Sequence, residues 1–434
     1  MSLTAIGIAG IGILLFILLF LGMPVGFTMG IVGFGGICYV ISSKAALGML
    51  GTELWNTFSS YSLTMVPLFV FMGEICYYSG LNRRLFKATH TLTSHVRGGL
   101  AMATVFACAG FAAICGSNTA TAATMTTVAL PEMEKYRYNH ALSTGAIACG
   151  STLGVVIPPS VVLIIIGLYT GQSITKLFYG GILAGLVLAA LFMATIVILC
   201  VLHPSWSPAG TKKTIADKIK SLPGFIEALV LFLLVMIGLY TGIFTPTEAG
   251  AVGSLCALLI SLVQRRLSWE GFKAAVVDTL QISCMVFVII AGAVIFSRFL
   301  AVTRIPFDIA DWVSGLPVPP AAVLTIVFAI YILGGALMDA LALLLITIPI
   351  FFPVAMKLGY DPIWFGVIIT VITTLGAVTP PVGATTYVVA GMAKDVPMES
   401  VFRGVLYFLP AYIICIALLM IFPEIITFLP NLIK

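Results

Sequence analysis

The chain has 434 residues, of which 61% are hydrophobic and only 9% charged, with a formal net charge of +5. Soluble globular domains carry about 25% charged residues. This composition therefore excludes a soluble protein and predicts an all-α polytopic membrane protein in the lipid bilayer. The positive balance does not point to nucleic acid, because Lys and Arg fall in short segments between apolar runs, as the positive-inside rule requires.

Apolar segments run at 3–21, 25–42, 62–79, a broken pair at 98–130, then 141–170, 177–202, 225–243, 247–263, 280–300, a second pair at 320–352, 363–393 and 404–423. The first is too long, and lacks the basic flank, to read as a cleaved signal peptide. Amphipathic pieces at Lys44–Trp55 and Ser268–Val277 are expected in the membrane interface. The five tryptophans (Trp55, Trp206, Trp269, Trp312 and Trp364) lie near segment ends, where interfacial anchors sit. All nine cysteines lie in apolar segments without a CxxC or clustered histidines, so neither disulfides nor a zinc site is expected. They read as small buried hydrophobes.

Gly98 to Pro131 carries no charged side chain and is interrupted by Gly116-Ser117-Asn118-Thr119-Ala120-Thr121. As one helix it would be about 51 Å long, against a hydrocarbon core of about 30 Å. Each arm alone is short, about 22 Å. Two short arms joined at a glycine-polar tip predict a re-entrant hairpin, whose tip must be buried in protein or line a wet cavity.

The second half of the chain overlays the first at an offset of 222: Pro24 on Pro246, Pro131 on Pro353, Lys135 on Lys357, Tyr138 on Tyr360, Leu153-Gly154 on Leu375-Gly376 and Pro158-Pro159 on Pro380-Pro381. After a two-residue slip, Phe178 and Gly180 meet Phe402 and Gly404. The segment before the first hairpin carries Arg83, Arg84, Lys87 and Arg97, whereas its counterpart Ile305–Pro319 carries Asp308 and Asp311 and no Lys or Arg. The positive-inside rule places these on opposite sides of the membrane. It puts Lys212, Lys213, Lys218 and Lys220 of the linker His203–Pro223 in the cytoplasm and both termini outside. The repeats are thus expected to be inverted: 1–202 (scaffold helices 1–80, hairpin and transport part 98–175, scaffold helix 177–202), a cytoplasmic linker 203–223, and 224–434 (224–300, 320–395 and 400–425 in the same roles). Inverted repeats are the arrangement of secondary transporters with midplane sites.

Four breaks are expected to meet at that midplane: the tip Gly116-Ser117-Asn118-Thr119, the interrupted span Ser151-Thr152-Leu153-Gly154 to Pro158-Pro159-Ser160, the tip Gly334-Gly335 to Asp339, and Thr373-Thr374-Leu375-Gly376 to Thr379-Pro380-Pro381. Freed carbonyls and helix C-termini suit a hard cation such as Na⁺, and helix N-termini suit a carboxylate. Asp339 is the only acidic or basic residue between Asp311 and Lys357 and matches Ser117 in the repeat. Cation coordination is the leading reading for it, with protonation second and helix capping as the structural alternative. Glu74 and Glu248, also in apolar surroundings, are either paired or capping carboxylates or functional ones. Residues 132–140 read as a loop between hairpin and span. The chain has no GxxxxGK[ST] loop, HExxH or GxSxG, and His140 has no evident catalytic partner, so an enzyme or a direct ATP-driven pump is not expected.

The runs Gly116–Thr124, Leu130-Pro131-Glu132-Met133, Gly150–Gly154 and Ile157-Pro158-Pro159-Ser160 resemble the large membrane (M) subunit of tripartite ATP-independent periplasmic (TRAP) transporters. Thr245-Pro246-Thr247-Glu248-Ala249-Gly250-Ala251 and Thr379-Pro380-Pro381-Val382-Gly383 are similar to that family's second-half signatures, and the resemblance covers nearly the whole chain. It implies elevator-type scaffold and transport domains, a periplasmic substrate-binding protein and a separate small four-helix membrane subunit. It also implies residence in the bacterial inner membrane, coupling to a Na⁺ gradient and no prosthetic group. Two or more Na⁺ would be transported, one near Gly116 and Ser117 with Ser151, Thr152 and Gly154, one near Asp339 and Gly335 with Thr373, Gly376 and Thr379. An organic-acid substrate (a C4-dicarboxylate, sialic acid or a sulfonate) would meet Ser117, Asn118, Thr119, Ser160 and Thr379. Sialic-acid members tend to carry Ser where this tip has Asn118, which argues against sialic acid. The Ser117-Asn118-Thr119 tip also resembles divalent-anion/Na⁺ symporters of related fold, so a self-sufficient symporter is the alternative, with an anion channel behind it.

Overall fold

The computed structural model describes residues 2–208, 210, 215–315 and 317–433. Within them every regular element is helical. In the first half these are α1 (Leu3–Phe16), α2 (Val25–Val40), α3 (Ser43–Phe58), α4 (Met65–Tyr78), α5 (Leu81–Thr93), α6 (Gly99–Cys115), α7 (Asn118–Lys135), α8 (His140–Ser151), α9 (Leu153–Val156), α10 (Val161–Thr170) and α11 (Ile174–Leu202). The second half holds α12 (Ile215–Tyr240), α13 (Pro246–Val263), α14 (Trp269–Val302), α15 (Ile305–Ser314), α16 (Pro320–Leu337), α17 (Ala340–Lys357), α18 (Pro362–Val378), α19 (Ala384–Met392), α20 (Met398–Ile421) and α21 (Glu424–Leu432). Among the described residues, 9 helices are long and apolar enough to cross a bilayer, or up to 10 if bent pairs count as one span.

Both hairpins form. Their arms, α6 and α7 with 17 and 18 residues, α16 and α17 with 18 each, are longer than the sequence suggests. In α7 and α17 the helix runs through Pro131 and Pro353 to Lys135 and Lys357, so Glu132, Glu134 and Lys135 close a helix instead of forming a loop. Proline removes one donor but does not end a helix whose neighbours hold it in place. The segments before the hairpins, read as plain loops, carry the amphipathic helices α5 and α15. Part of the linker 203–223 is likewise helical from Ile215, while Lys212 and Lys213 lie outside the described residues and the side chains of Lys218 and Lys220 are not among those described.

Two further expectations need correction. The amphipathic stretch 268–277 is not a separate interfacial piece: Ser268 caps a continuous 34-residue helix, α14. Its repeat counterpart does break, with α3 and the following span bent by 50° at residues 59–60. Trp364 is no interfacial anchor; it is 3% exposed and its indole N–H donates to the Leu419 carbonyl at 2.8 Å. Trp55, Trp269 and Trp312 are exposed as expected. The cysteines are all free; Cys76, Cys108, Cys115, Cys149, Cys200 and Cys415 are buried, but Cys284 lies on the surface.

The repeat is visible in the packing as an exchange. Helix α2 of the first half packs on α14 of the second, and its equivalent α13 packs on α4, the equivalent of the later part of α14. The first contact is backbone on backbone, since a methyl at Gly292 would lie 2.0 Å from the Gly26 carbonyl oxygen. Likewise Gly404 of α20 sits over Ala141 and Gly145 of α8, and Gly180 of α11 sits against Val367, the repeat equivalent of Gly145, in α18. Reciprocal contacts of this kind are what a pseudo-two-fold relation between halves produces. The interrupted spans form the centre: 94% of the most apolar stretch of His140–Thr170 is buried, as is every residue of α18 from Ile363 to Val378.

Candidate functional site

The two tips are built differently from equivalent sequence. In the first, Gly116 ends α6 in the left-handed region (φ 65°), and extended Ser117 then starts α7 by accepting the Ala120 N–H. In the second, α16 ends at Leu337, Met338 is extended, and Asp339 starts α17 by accepting the Leu341 N–H at 3.0 Å. Asp339 thus has the capping geometry that was the structural alternative, and its carboxylate also lines the cavity described next.

Each tip docks on the interrupted span of its own half. A methyl at Gly154 would lie 2.6 Å from the Ser117 carbonyl oxygen, and one at Gly116 would lie 2.7 Å from that of Pro159. Only glycine permits approaches this close. In the second unit Gly335 faces Gly376 and the Thr373 carbonyl, each 3.0 Å from where its methyl would be. Both prolyl pairs, Pro158-Pro159 and Pro380-Pro381, are cis. The N–H groups of Val382 and Gly383 donate to the Ala336 carbonyl, tying the second tip to the second break.

The tips share one cavity of about 110 Å³, into which come Gly116, Ser117, Asn118, Thr119 and Asp339. The rest of its lining comes from Val70 and Glu74 of α4, Ile282, Met285, Val286 and Ile289 of α14, and Val161 and Val162 of α10. The first turns of α7 and α17 therefore both open onto it. At α7 the leading N–H groups carry the positive end of the helix dipole, the arrangement that receives an anion; at α17 the Asp339 carboxylate already occupies that end. The hydroxyls of Ser117 and Thr119 are 3.2 Å apart. Hydroxyl and carboxylate oxygens are hard donors suited to Na⁺ in size and charge, and the Asp339 carboxylate is such a donor.

The other anticipated residues lie behind this lining. Ser151 donates to the Ile147 carbonyl at 2.5 Å, Thr373 to Ile369 at 2.5 Å and Thr379 to Leu375 at 2.5 Å. Hydroxyls bonded back to their own helix are the ordinary fate of Ser and Thr in apolar helices. Thr152 meets the Tyr412 hydroxyl of α20 at 2.5 Å and is fully buried. Ser160 caps α10 and donates to the Val155 carbonyl at 2.7 Å. These groups, with Gly154, Gly335 and Gly376, shape the breaks; they do not face the cavity.

Three polar relationships were not legible in advance. The Asn118 amide donates to the Thr385 hydroxyl at 3.1 Å, joining the first tip to α19 of the other half, and Thr385 is fully buried. Glu248 completes a capping box with Thr245, which settles it as structural. Glu74 neither caps a helix nor pairs with a charge among the described residues. Among the described residues no group of three or more His, Cys, Asp or Glu side chains is placed to hold a metal ion.

Residues 12–425 match the family model for the "Tripartite ATP-independent periplasmic transporter, DctM component". The chain is 33% identical over 398 residues, 92% of each protein, to the C4-dicarboxylate TRAP transporter large permease protein DctM of Pseudomonas aeruginosa. It is 29% identical over 417 residues, 96% of each, to the sialic acid TRAP transporter large permease protein SiaM of Vibrio cholerae. It is also 32% identical, over 87% of its own length and 59% of the other's, to the isethionate TRAP transporter permease protein DctMQ of Oleidesulfovibrio alaskensis. Among solved structures, the YdaH transporter of Alcanivorax borkumensis superposes with a TM-score of 0.61 at 15% identity, covering 87% of this chain and 89% of that one. MtrF of Neisseria gonorrhoeae gives 0.51 at 14% identity, covering 88% and 85%. At that identity the likeness speaks for the fold alone. With an all-helical polytopic fold and a match over nearly its whole length, the chain belongs to the tripartite ATP-independent periplasmic (TRAP) transporter family as its DctM-type large membrane permease, a transporter component and not an enzyme.

Proposed function

We propose that this permease carries a small organic acid across the bacterial inner membrane by Na⁺-coupled symport. One observation carries the reading: tips from opposite halves of the chain meet in one cavity, one offering Ser117, Asn118 and Thr119 at a helix N-terminus, the other Asp339. Anion-favouring N–H groups beside a carboxylate make a site for an anion and a cation together. Relatives named for C4-dicarboxylates, sialic acid and isethionate support a small organic anion as cargo. Ser160 and Thr379 shape the helix breaks beside the substrate, and Ser151, Thr152, Gly154, Gly335, Thr373 and Gly376 set the backbone around the Na⁺ positions.

In this reading the hairpins and interrupted spans move as one transport unit against α1–α4 and α12–α14, an elevator. Both termini lie in the periplasm. A periplasmic binding protein delivers the substrate and a small four-helix membrane subunit braces the scaffold. The test is uptake into proteoliposomes holding the permease and small subunit, with cognate binding protein, under an imposed Na⁺ gradient. Uptake should follow the gradient and stop without the binding protein. Uptake that persists without it would favour a self-sufficient anion/Na⁺ symporter; currents indifferent to Na⁺ would favour a channel.

A further inference from the structure

Glu74 stands in the second half of α4, 8% exposed, on the wall of the cavity that the two tips share. Among the described residues it has no hydrogen-bond or ion-pair partner. A carboxylate inside a membrane protein is costly unless something compensates it, and its surroundings make matters worse. Gly73 beside it lies against the last turn of α6, where a methyl would be 2.9 Å from the Cys115 Cα. Cys115, the last residue of that helix, lines the cavity with Glu74, so the carboxylate faces the negative end of a helix dipole. A second acid lies one helical turn along: Asp278 of α14 accepts the hydroxyl of Tyr78, four residues after Glu74 in α4, at 2.5 Å. The basic residues next along these helices have partners of their own: Arg84, ten residues after Glu74, pairs with Glu227 at 2.6 Å, and Lys273, five residues before Asp278, lies over the Trp269 ring.

An unpaired carboxylate beside a helix C-terminus on a cavity wall, with a second acid one turn away, is the electrostatic signature of a missing cation. The cavity must also admit an anionic substrate, which two bare carboxylates, Glu74 and Asp339, would repel. We propose that Glu74 is the principal ligand of an additional Na⁺ position, on the α4 side of the cavity and distinct from the positions at Ser117 and Asp339. A Na⁺ held there neutralises that wall, so cation binds first and the organic anion second. The inference rests on the Na⁺-coupled reading above.

The test uses the purified full-length chain with Na⁺ alone as probe and no organic anion, K⁺ serving as control. Equilibrium binding of radiolabelled Na⁺ gives ions per chain, and the rise in Tm on adding Na⁺ gives an independent readout. Glu74→Gln should bind one ion fewer and show a smaller Na⁺-induced Tm rise, with its Tm in K⁺ no lower than that of wild type because the uncompensated charge is gone; Glu74→Asp should recover part of the binding and of the Na⁺-induced rise. Asp339→Asn should lose a different ion, so the double variant loses both. If Glu74→Gln titrates like wild type while Asp339→Asn does not, the Glu74 position is overturned and Na⁺ coupling stands. If wild type binds no Na⁺ beyond the K⁺ control, both fall. If the Glu74→Gln protein is unfolded in K⁺, the Glu74→Asp titration decides: wild-type stoichiometry and affinity in that variant overturn the proposal, and a weakened single ion upholds it.

Discussion

The two hairpin-and-break units derive from one pattern and sit in different surroundings. In the first, the whole break from Ser151 to Ser160 is buried, and the tip presses on it through Gly116 and Gly154. In the second, Pro380, Pro381 and Val382 are exposed, as are Leu337 and Asp339 at the tip. Both units keep the close glycine contact that sets their backbone geometry. They differ in what covers that contact, and in the tip residue, serine in one and aspartate in the other. Duplication conserved the hinge-like skeleton; cover and charge are where the halves diverged, and they make one unit closed and the other open.

Solvent access separates the units most strongly. In an otherwise cysteine-free background, Val382→Cys should react with a membrane-impermeant maleimide about a hundredfold faster than Ser160→Cys at the equivalent position, because the closed unit must first open at roughly 3 kcal/mol. Equal rates would erase the distinction between open and closed. Next in size is the tip charge. Asp339→Asn should lower Na⁺-driven uptake by about tenfold or more, the loss of one charged ligand, with expression and Tm little changed, whereas Ser117→Ala should cost less. Unchanged Na⁺ dependence in Asp339→Asn removes Asp339 from coupling.

The shared skeleton gives smaller, matched effects. Gly154→Ala and Gly376→Ala should each destabilise by about 1–3 kcal/mol, the usual cost of overpacking, read as a fall in Tm of the purified chain. A large effect at one and none at the other would show that only one unit keeps the close contact. The smallest expected effect is the cross-half bond. Thr385→Val leaves the Asn118 amide without its acceptor, which costs about 1 kcal/mol, or roughly fivefold in apparent substrate affinity measured by uptake kinetics. No change there would mean the first tip is held without help from α19.

Much of this arrangement was readable from the chain because its cues are local. A glycine followed by Ser117, or Asp339 before an apolar run, marks a helix start wherever it occurs, and a Pro-Pro pair after Leu-Gly marks a break. The repeat offset then placed the four breaks together. What stayed hidden depends on contacts between distant segments. Ser151, Thr152, Thr373 and Thr379 look like ligands in one dimension, and their hydroxyls turn back to their own helix carbonyls or to Tyr412 because those partners are nearer than any cavity. Thr385 became a partner of Asn118 only through packing of α19 on α7. Glu74 and Glu248 were indistinguishable as carboxylates in apolar runs. The difference is that Thr245 lies three residues before one and a cavity opposite the other. The fusion of 268–277 into α14 was equally opaque, since the same amphipathic pattern in the first half does end at a bend.

That fusion has a consequence of its own. At 34 residues, α14 is about 51 Å long, but its apolar run 280–300 spans only about 32 Å, close to the roughly 30 Å of a hydrocarbon core. The surplus is the amphipathic stretch that starts at Trp269, where the first half bends instead. Because no break separates it from the Ile282–Ile289 face of the cavity, that stretch is a rigid lever: a force applied at Trp269 reaches the cavity wall, whereas in the first half a bend at residues 59–60 stands between α3 and the rest of the span.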